Sequence, residues 1–379
     1  MSSSTPPESR PSPIAGERGS REALLSDELL PPVEAPSARF ILQLFVVPAV
    51  IVAAVVLFWM VIESLARRSE QDPDEIVRAL RSSSPVRFQT ANDLADMLRL
   101  PDRYPKLKRN RELVQKLAAL LDEQIEAGDD GDASITMRMF LCKALGEFYV
   151  DDSLPTLLKA ARSDPDRDVR RQAINAMAVL AGELSNLKPP QYLESDELVD
   201  TLVALGDDPD ELIRSETAFA LGVAATAPKA DPRLALELEE LADDPYTDAR
   251  FNAAVALARI GHPRAAAGIA EMLDAESIAS SLQGEKPMVE DVSEQVLRSQ
   301  KAYKRDSIIN SAISAIYLLL KQGPLPPDAQ AALDRALSDF IVQAPKIKAE
   351  TPIPRELVKA AEKALAKVRE PRAASASSH

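Results

Sequence analysis

The chain has 379 residues, of which 46% are hydrophobic but only 4% aromatic, with 12 glycines, one cysteine and a formal net charge of −14. The shortage of aromatic residues beside abundant alanine disfavours a β-sandwich or barrel and suits closely packed helices. The acidic balance argues against a nucleic-acid partner, because it repels phosphate, and the single Cys142 rules out an intrachain disulfide.

Residues 1–39 are rich in Ser, Pro, Glu and Arg. They have too few large apolar side chains to offset the entropy of ordering, so this stretch is predicted to be a disordered tail. Residues 40–62, FILQLFVVPAVIVAAVVLFWMVI, carry no charge, and 16 of the 23 are Leu, Ile, Phe or Val. At about 1.5 Å per residue such a helix reaches about 35 Å, enough to cross a hydrocarbon core of about 30 Å with some tilt. A cleaved signal peptide is the rival reading, since Ser64-Leu65-Ala66 offers small residues at a suitable spacing. Against it stand the length of the apolar run and the acidic segment that precedes it. Arg21 and Arg39 precede the span within 20 residues, while Arg67, Arg68, Arg78 and Arg81 follow it. The positive-inside rule therefore leans, by two charges, towards a cytoplasmic C-terminal domain.

Residues 63–73 form a polar linker, and helical patterns then run from 74 to about 370. A short helix over 74–80 is followed by VRFQTANDLADML at 86–98, an amphipathic helix over 111–127, and SITMRMFLCKALGEF opened by Asp132. Residues 154–161, 197–205 and 234–242 read as first helices of later pairs. The stretch 164–182, DPDRDVRRQAINAMAVLAG, places Val169, Ala173, Ala176, Met177 and Leu180 on one helical face. There Asp164 is predicted to cap and Pro165 to take the first helical position. The same pattern returns at 208–222 and 244–261. A further pair starts at 265–273, residues 278–290 read as an insertion, and a long helix spans roughly 291–321. Helices near 327–342 and 355–368 close the array, and 371–379 is a disordered tail.

Aligned on one arginine, the units fall at Arg87, Arg138, Arg170, Arg214 and Arg250, with Arg305 a weaker sixth. Six residues before it stands Asp132, Asp164, Asp208 or Asp244 in four of them. A two-helix sentence repeated at this spacing, with loops of varying length, is the signature of a solenoid. On these residues the chain resembles HEAT-repeat proteins of the armadillo-like superhelix class, over about 74–321 and most clearly over 132–261. The resemblance implies an all-α, right-handed α-solenoid at 74–370 beside one transmembrane helix. It also implies that the Asp and Arg positions form a structural ladder of hydrogen bonds between neighbouring repeats.

The sequence offers little chemistry. His262 and His379 are the only histidines, too few for a zinc site, and the His-Glu dipeptides of HEAT-like iron hydroxylases are absent. Cys142 lies in FLCKAL and reads as a small buried filler. Asp129-Asp130-Gly131-Asp132 lacks the ligand spacing of a calcium loop, and no phosphate-binding glycine motif occurs. No cofactor or metal is expected, and no catalytic residue is assigned.

Two features suggest contacts. Residues 103–111 hold five basic side chains in nine, and Lys106, Lys108 and Arg109 are expected to meet anionic lipid headgroups. The family also implies that second helices line the concave surface, where residues one, five and nine after the register arginine face outward. Arg171, Asn175, Phe219, Phe251 and Val255 then form an expected partner-binding patch. The chain thus reads as a single-pass membrane protein, held in the bilayer by 40–62, displaying a non-catalytic scaffold for a protein partner the sequence does not identify. An enzyme-type HEAT module such as a lyase, and a transmembrane sensor, are the alternatives.

Overall fold

The computed structural model describes residues 37–69, 72–82, 84–104, 106–283, 293–346 and 351–370, and these contain helices and no strand. Residues 1–36 and 371–379 of the expected tails, and 284–292 around the expected insertion, lie outside the described residues. The chain divides into two units, one through Ala66 and one from Arg67.

The first unit holds all but the last three residues of helix α1, Ala38–Ser69. Its stretch Leu42–Glu63 has a mean hydropathy of 2.9 and is long and apolar enough to cross a membrane. The expected linker at 63–73 is corrected here: the helix continues through Ser69, and only residues just after it separate α1 from the next helix. Pro48 lies inside α1 without ending it.

The second unit is a row of helix pairs. α2 (Pro73–Arg81) pairs with α3 (Val86–Arg99), α4 (Arg111–Ala127) with α5 (Asp132–Gly146), and α6 (Leu154–Ser163) with α7 (Arg167–Ser185). α8 (Asp196–Gly206) pairs with α9 (Glu211–Ala224), and α10 (Pro232–Leu241) with α11 (Thr247–Arg259). In the sixth pair α12 (Ala265–Leu273) and α14 (Glu294–Gln322) are separated in sequence by the short α13 (Ala275–Gln283). α15 (Pro327–Gln343) and α16 (Arg355–Arg369) close the row. Second helices pack on second helices, α3 on α5, then α7, α9, α11, α14 and α16 in turn, which makes the second unit an α-solenoid.

Small residues set the closeness of that packing. A Cβ added to Gly146 would lie 2.9 Å from the Cα of Ala176, and one added to Gly222 would lie 2.9 Å from the Cα of Ala256. Both glycines stand eight residues after the register arginine, and both alanines six after the next one. The alanine-rich composition is therefore a seam of close helix contact.

The turn into each second helix differs from the sequence expectation. Asp166, not Asp164, caps α7, accepting hydrogen bonds from the amides of Asp168 and Val169. Asp164 lies two residues earlier, where its carboxylate accepts from the Asp166 amide, and Pro165 precedes the helix. Asp208 and Asp244 repeat this with the amides of Asp210 and Tyr246. A turn carboxylate that holds its own loop is then placed to meet the arginine of the preceding pair.

That ladder is present. Arg138 meets Asp164 inside the protein, Nε 2.8 Å from Oδ2, with both side chains fully buried. The Nε–Oδ2 approach is off line for a hydrogen bond, and Nη2 makes a longer one of 3.3 Å to Oδ1. Arg170 pairs with Asp208, and Arg214 grips Asp244 through two bonds of 2.6 and 3.0 Å. Two members of the expected ladder are corrected. Asp132 is exposed in the first turn of α5 and pairs with no basic side chain among the described residues, because α5 begins one turn early and Arg138 instead takes the Asp129 carbonyl. Arg250 finds no next-turn aspartate, and Glu271 of α12 supplies the carboxylate. Arg305 is a true sixth register position, donating to the Thr351 carbonyl at 2.8 Å.

Candidate functional site: a groove beside the long helix

Helix α14 is much longer than the other second helices, and its buried residues begin only at Ile308. The preceding turns run past the packed core, so the outward faces of α9 and α11 and the first half of α14 enclose a groove of about 1100 Å³. Its apolar floor comes from Phe219, Val255, Phe251, Met272 and Ile308, and its polar wall from Ser299, Gln300, Tyr303 and Ser307 on α14.

Most of the charges in the groove are spent on one another. The Lys304 ammonium donates to Asp248 at 2.9 Å and to the Ser281 carbonyl at 3.1 Å. Ser281 and Tyr246 also donate to Asp248, which ties α13 and α14 to α11. Burial, then the Asp248 carboxylate, push the Tyr246 phenol above its usual range. Arg171 lies 3.3 Å from Asp168 and 4.0 Å from Glu216.

Arg259 is the exception. It is half-buried at the end of α11, its guanidinium 5.7 Å from the centre of the Phe219 ring, and no carboxylate among the described residues pairs with it. Burial holds its pKa below the ordinary arginine value. A cation that is stripped of part of its water but lacks a counterion is poised to take an anion.

The expected partner patch is thus partly assembled and partly corrected. Arg171, Phe219 and Val255 line the groove and are half-buried. Phe251 is only 4% exposed, because α14 packs along α11, so it is floor rather than free surface. Asn175 lies outside the groove lining, and its amide is spent on Glu216 at 2.8 Å. Arg259, nine residues after Arg250, falls on the expected outward line but not in the expected patch, and the wall residues of α14 were passed over. The signal available for the wall was the length of the last second helix relative to its apolar stretch.

The basic stretch is also divided. Lys106 and Arg109 are exposed, whereas Lys108 is 5% exposed and lies 3.4 Å from Glu147 and 3.3 Å from Glu183, its ammonium 4.7 Å from the Tyr149 ring. Lys108 is therefore corrected from a lipid contact to a buried tie between the second and third pairs. Cys142 is fully buried, and burial pushes its thiol far above the usual range.

The model for HEAT repeats matches residues 123–222, which cover α5 to α9 and three ladder arginines. The second unit is thus an α-solenoid carrying HEAT repeats in that stretch. Among solved structures, the chain is similar to YibA of E. coli, with 19% identity over 80% of this chain and 96% of that one, at a TM-score of 0.33. It is also similar to human deoxyhypusine hydroxylase, with 19% identity over 81% of this chain and 99% of that one, at a TM-score of 0.25. No curated protein matches the chain.

Proposed function

We propose that this chain is a membrane-anchored, non-catalytic helical-repeat scaffold, and that the groove beside α14 seats a polypeptide segment of a membrane partner. The observation that carries the reading is the pairing of an apolar floor, Phe219 and Val255, with the uncompensated guanidinium of Arg259. An acidic side chain flanked by apolar ones would satisfy both at once. The groove's other ionic groups neutralise each other, which suits a wall better than a reaction centre. The α1 segment is read as the anchor, with the solenoid on the cytoplasmic side. There Lys106 and Arg109 are free to meet anionic headgroups. Anchoring confines the groove to the bilayer and raises its effective concentration for partners in the same membrane.

Site-specific photocrosslinking in native membranes tests this. A photoreactive residue at Val255 should capture a discrete protein that the same residue at the exposed Glu362 of α16 does not, and Phe219→Asp should abolish the capture. Equal labelling from the two positions, or capture untouched by Phe219→Asp, would refute the groove. A C-terminal topology reporter active only on the non-cytoplasmic side would refute the orientation.

A further inference from the structure

On the opposite helix layer, where α8 meets α10, three carboxylates converge. Asp207 follows the last turn of α8, while Glu237 and Glu240, three residues apart, share a face of α10. One carboxylate oxygen from each lies within 4.8 Å of the other two. Two exposed acids at a helix end would be ordinary, and it is Glu237 that makes the place unusual. It is only 6% exposed and sits on the apolar face of α10 among Leu234, Leu238 and Leu241. No hydrogen bond or ion pair from a described residue reaches its carboxylate, and the charges that act on it are those of the other two acids. It is lodged against the backbone as well, since a Cβ on Gly206 would stand 2.6 Å from its Cδ. The backbone of α8 has left room for this carboxylate and for nothing larger than hydrogen at that position.

A carboxylate removed from water without a donor is costly, and leaving it beside two like charges is costlier. A proton or a cation would relieve that cost, and only a cation serves all three carboxylates at once. We infer that Asp207, Glu237 and Glu240 hold a hard divalent cation of the calcium class across the joint between the fourth and fifth helix pairs. Oxygens no more than 4.8 Å apart suit an ion with bonds of about 2.3–2.6 Å to each, and the exposed sides of Asp207 and Glu240 leave its remaining positions to water. Magnesium, with shorter bonds and a strict octahedron, suits this open triad less well. With three protein oxygens the affinity belongs at the weak end of calcium sites, about 10⁻⁴–10⁻³ M. Bound there, the ion would link α8 to α10 and stiffen the row next to the groove. Burial and the two neighbouring acids push Glu237 up to about 7, consistent with a carboxylate that lacks any compensating charge in the protein itself.

The test uses the full-length chain in detergent, stripped with EDTA and titrated with calcium chloride in a calorimeter. One saturable site per chain is expected, with a rise in unfolding temperature of about 3 °C at 10 mM calcium. Glu237→Gln should abolish both effects. In EDTA that variant should be at least as stable as the parent, because the amide removes the buried charge. Asp207→Asn changes only an exposed ligand and should weaken binding about ten-fold while the fold is kept. The absence of saturable binding in the parent chain, or binding unchanged in both variants, would overturn the site.

Discussion

The middle of the solenoid and its C-terminal end use the same arginine for different purposes. From α5 to α9 the register arginine meets a turn aspartate of the next pair, and at Arg138 and Asp164 both side chains are wholly removed from solvent. At the end the arginine stays and the acceptor changes, to Glu271 for Arg250 and to the adjacent Asp306 and the Thr351 carbonyl for Arg305. A guanidinium carries five donors in a fixed fork, so it accepts either partner without moving the helix. The comparison teaches that the repeat is held by the donor and loosened at the acceptor. Where the turn aspartate is lost, the turn itself is freed, and there the sixth pair acquires α13, the overhang of α14 and the groove.

The sharpest way to break that comparison is to remove an acceptor in each region. Asp164→Ala leaves the Arg138 guanidinium buried and unpaired and should cost about 3–5 kcal/mol, measured by urea unfolding. Replacing the pair together, Arg138→Met with Asp164→Leu, should recover most of the loss. At the other end Arg305→Met removes hydrogen bonds to backbone carbonyls and a local pair with Asp306 at a half-buried position and should cost about 1–2 kcal/mol. Cys142, one turn beyond Arg138, supplies a local readout. Its buried thiol should resist alkylation in the parent chain and react in the Asp164→Ala variant well below the urea midpoint. Equal costs at the two ends would mean that burial does not distinguish the rungs.

A smaller effect separates the seam between helices from their open faces. Gly222→Ala would press its new methyl into Ala256 of the next pair and should cost about 1–3 kcal/mol. Gly182→Ala, inside α7, meets nothing within 4 Å and should stabilise by up to about 1 kcal/mol through helix propensity. Opposite signs from the same chemical change would fix the seam as the place where second helices approach most closely.

Much of this was legible in the sequence, and the failures have physical reasons. The bounds of α4 and α12 are those the apolar period and flanking residues indicate. Asp164, Asp208 and Asp244 stand out because each both turns its own loop and binds the preceding arginine, which fixes residue type and spacing together. Asp132 keeps the spacing but not the turn, so counting alone misassigned it. Lys108 looked like one of five free basic residues, and its partners Glu147 and Glu183 lie 39 and 75 residues away, beyond the reach of local pattern. Phe251 was placed on the right face of α11, but a face says nothing about whether a longer neighbouring helix covers it. Glu237 could have been found: a glutamate in phase with Leu234, Leu238 and Leu241 contradicts its own apolar stripe.

The smallest effect belongs to the last pair, where Arg369 reaches back to Asp334 with bonds of 2.6 and 2.8 Å, joining α16 to α15 at the surface. Hydrogen bonding and charge from Arg369 hold the Asp334 carboxyl below its usual value. A depressed folded-state pKa gives stability that is present above the unfolded value, near 4, and is lost as pH falls through the folded one. Exposure and salt screen the pair, so its share should be well below that of any buried rung. Arg369→Ala should therefore fray α16 slightly at pH 7 in low salt, as faster amide exchange over 355–369. The difference from the parent should vanish in 1 M sodium chloride and shrink steadily as pH falls below about 4. Were the same frayed helix to persist under those conditions, the contact would be one of packing by the arginine stem rather than of charge, unlike the buried ionic rungs of the middle.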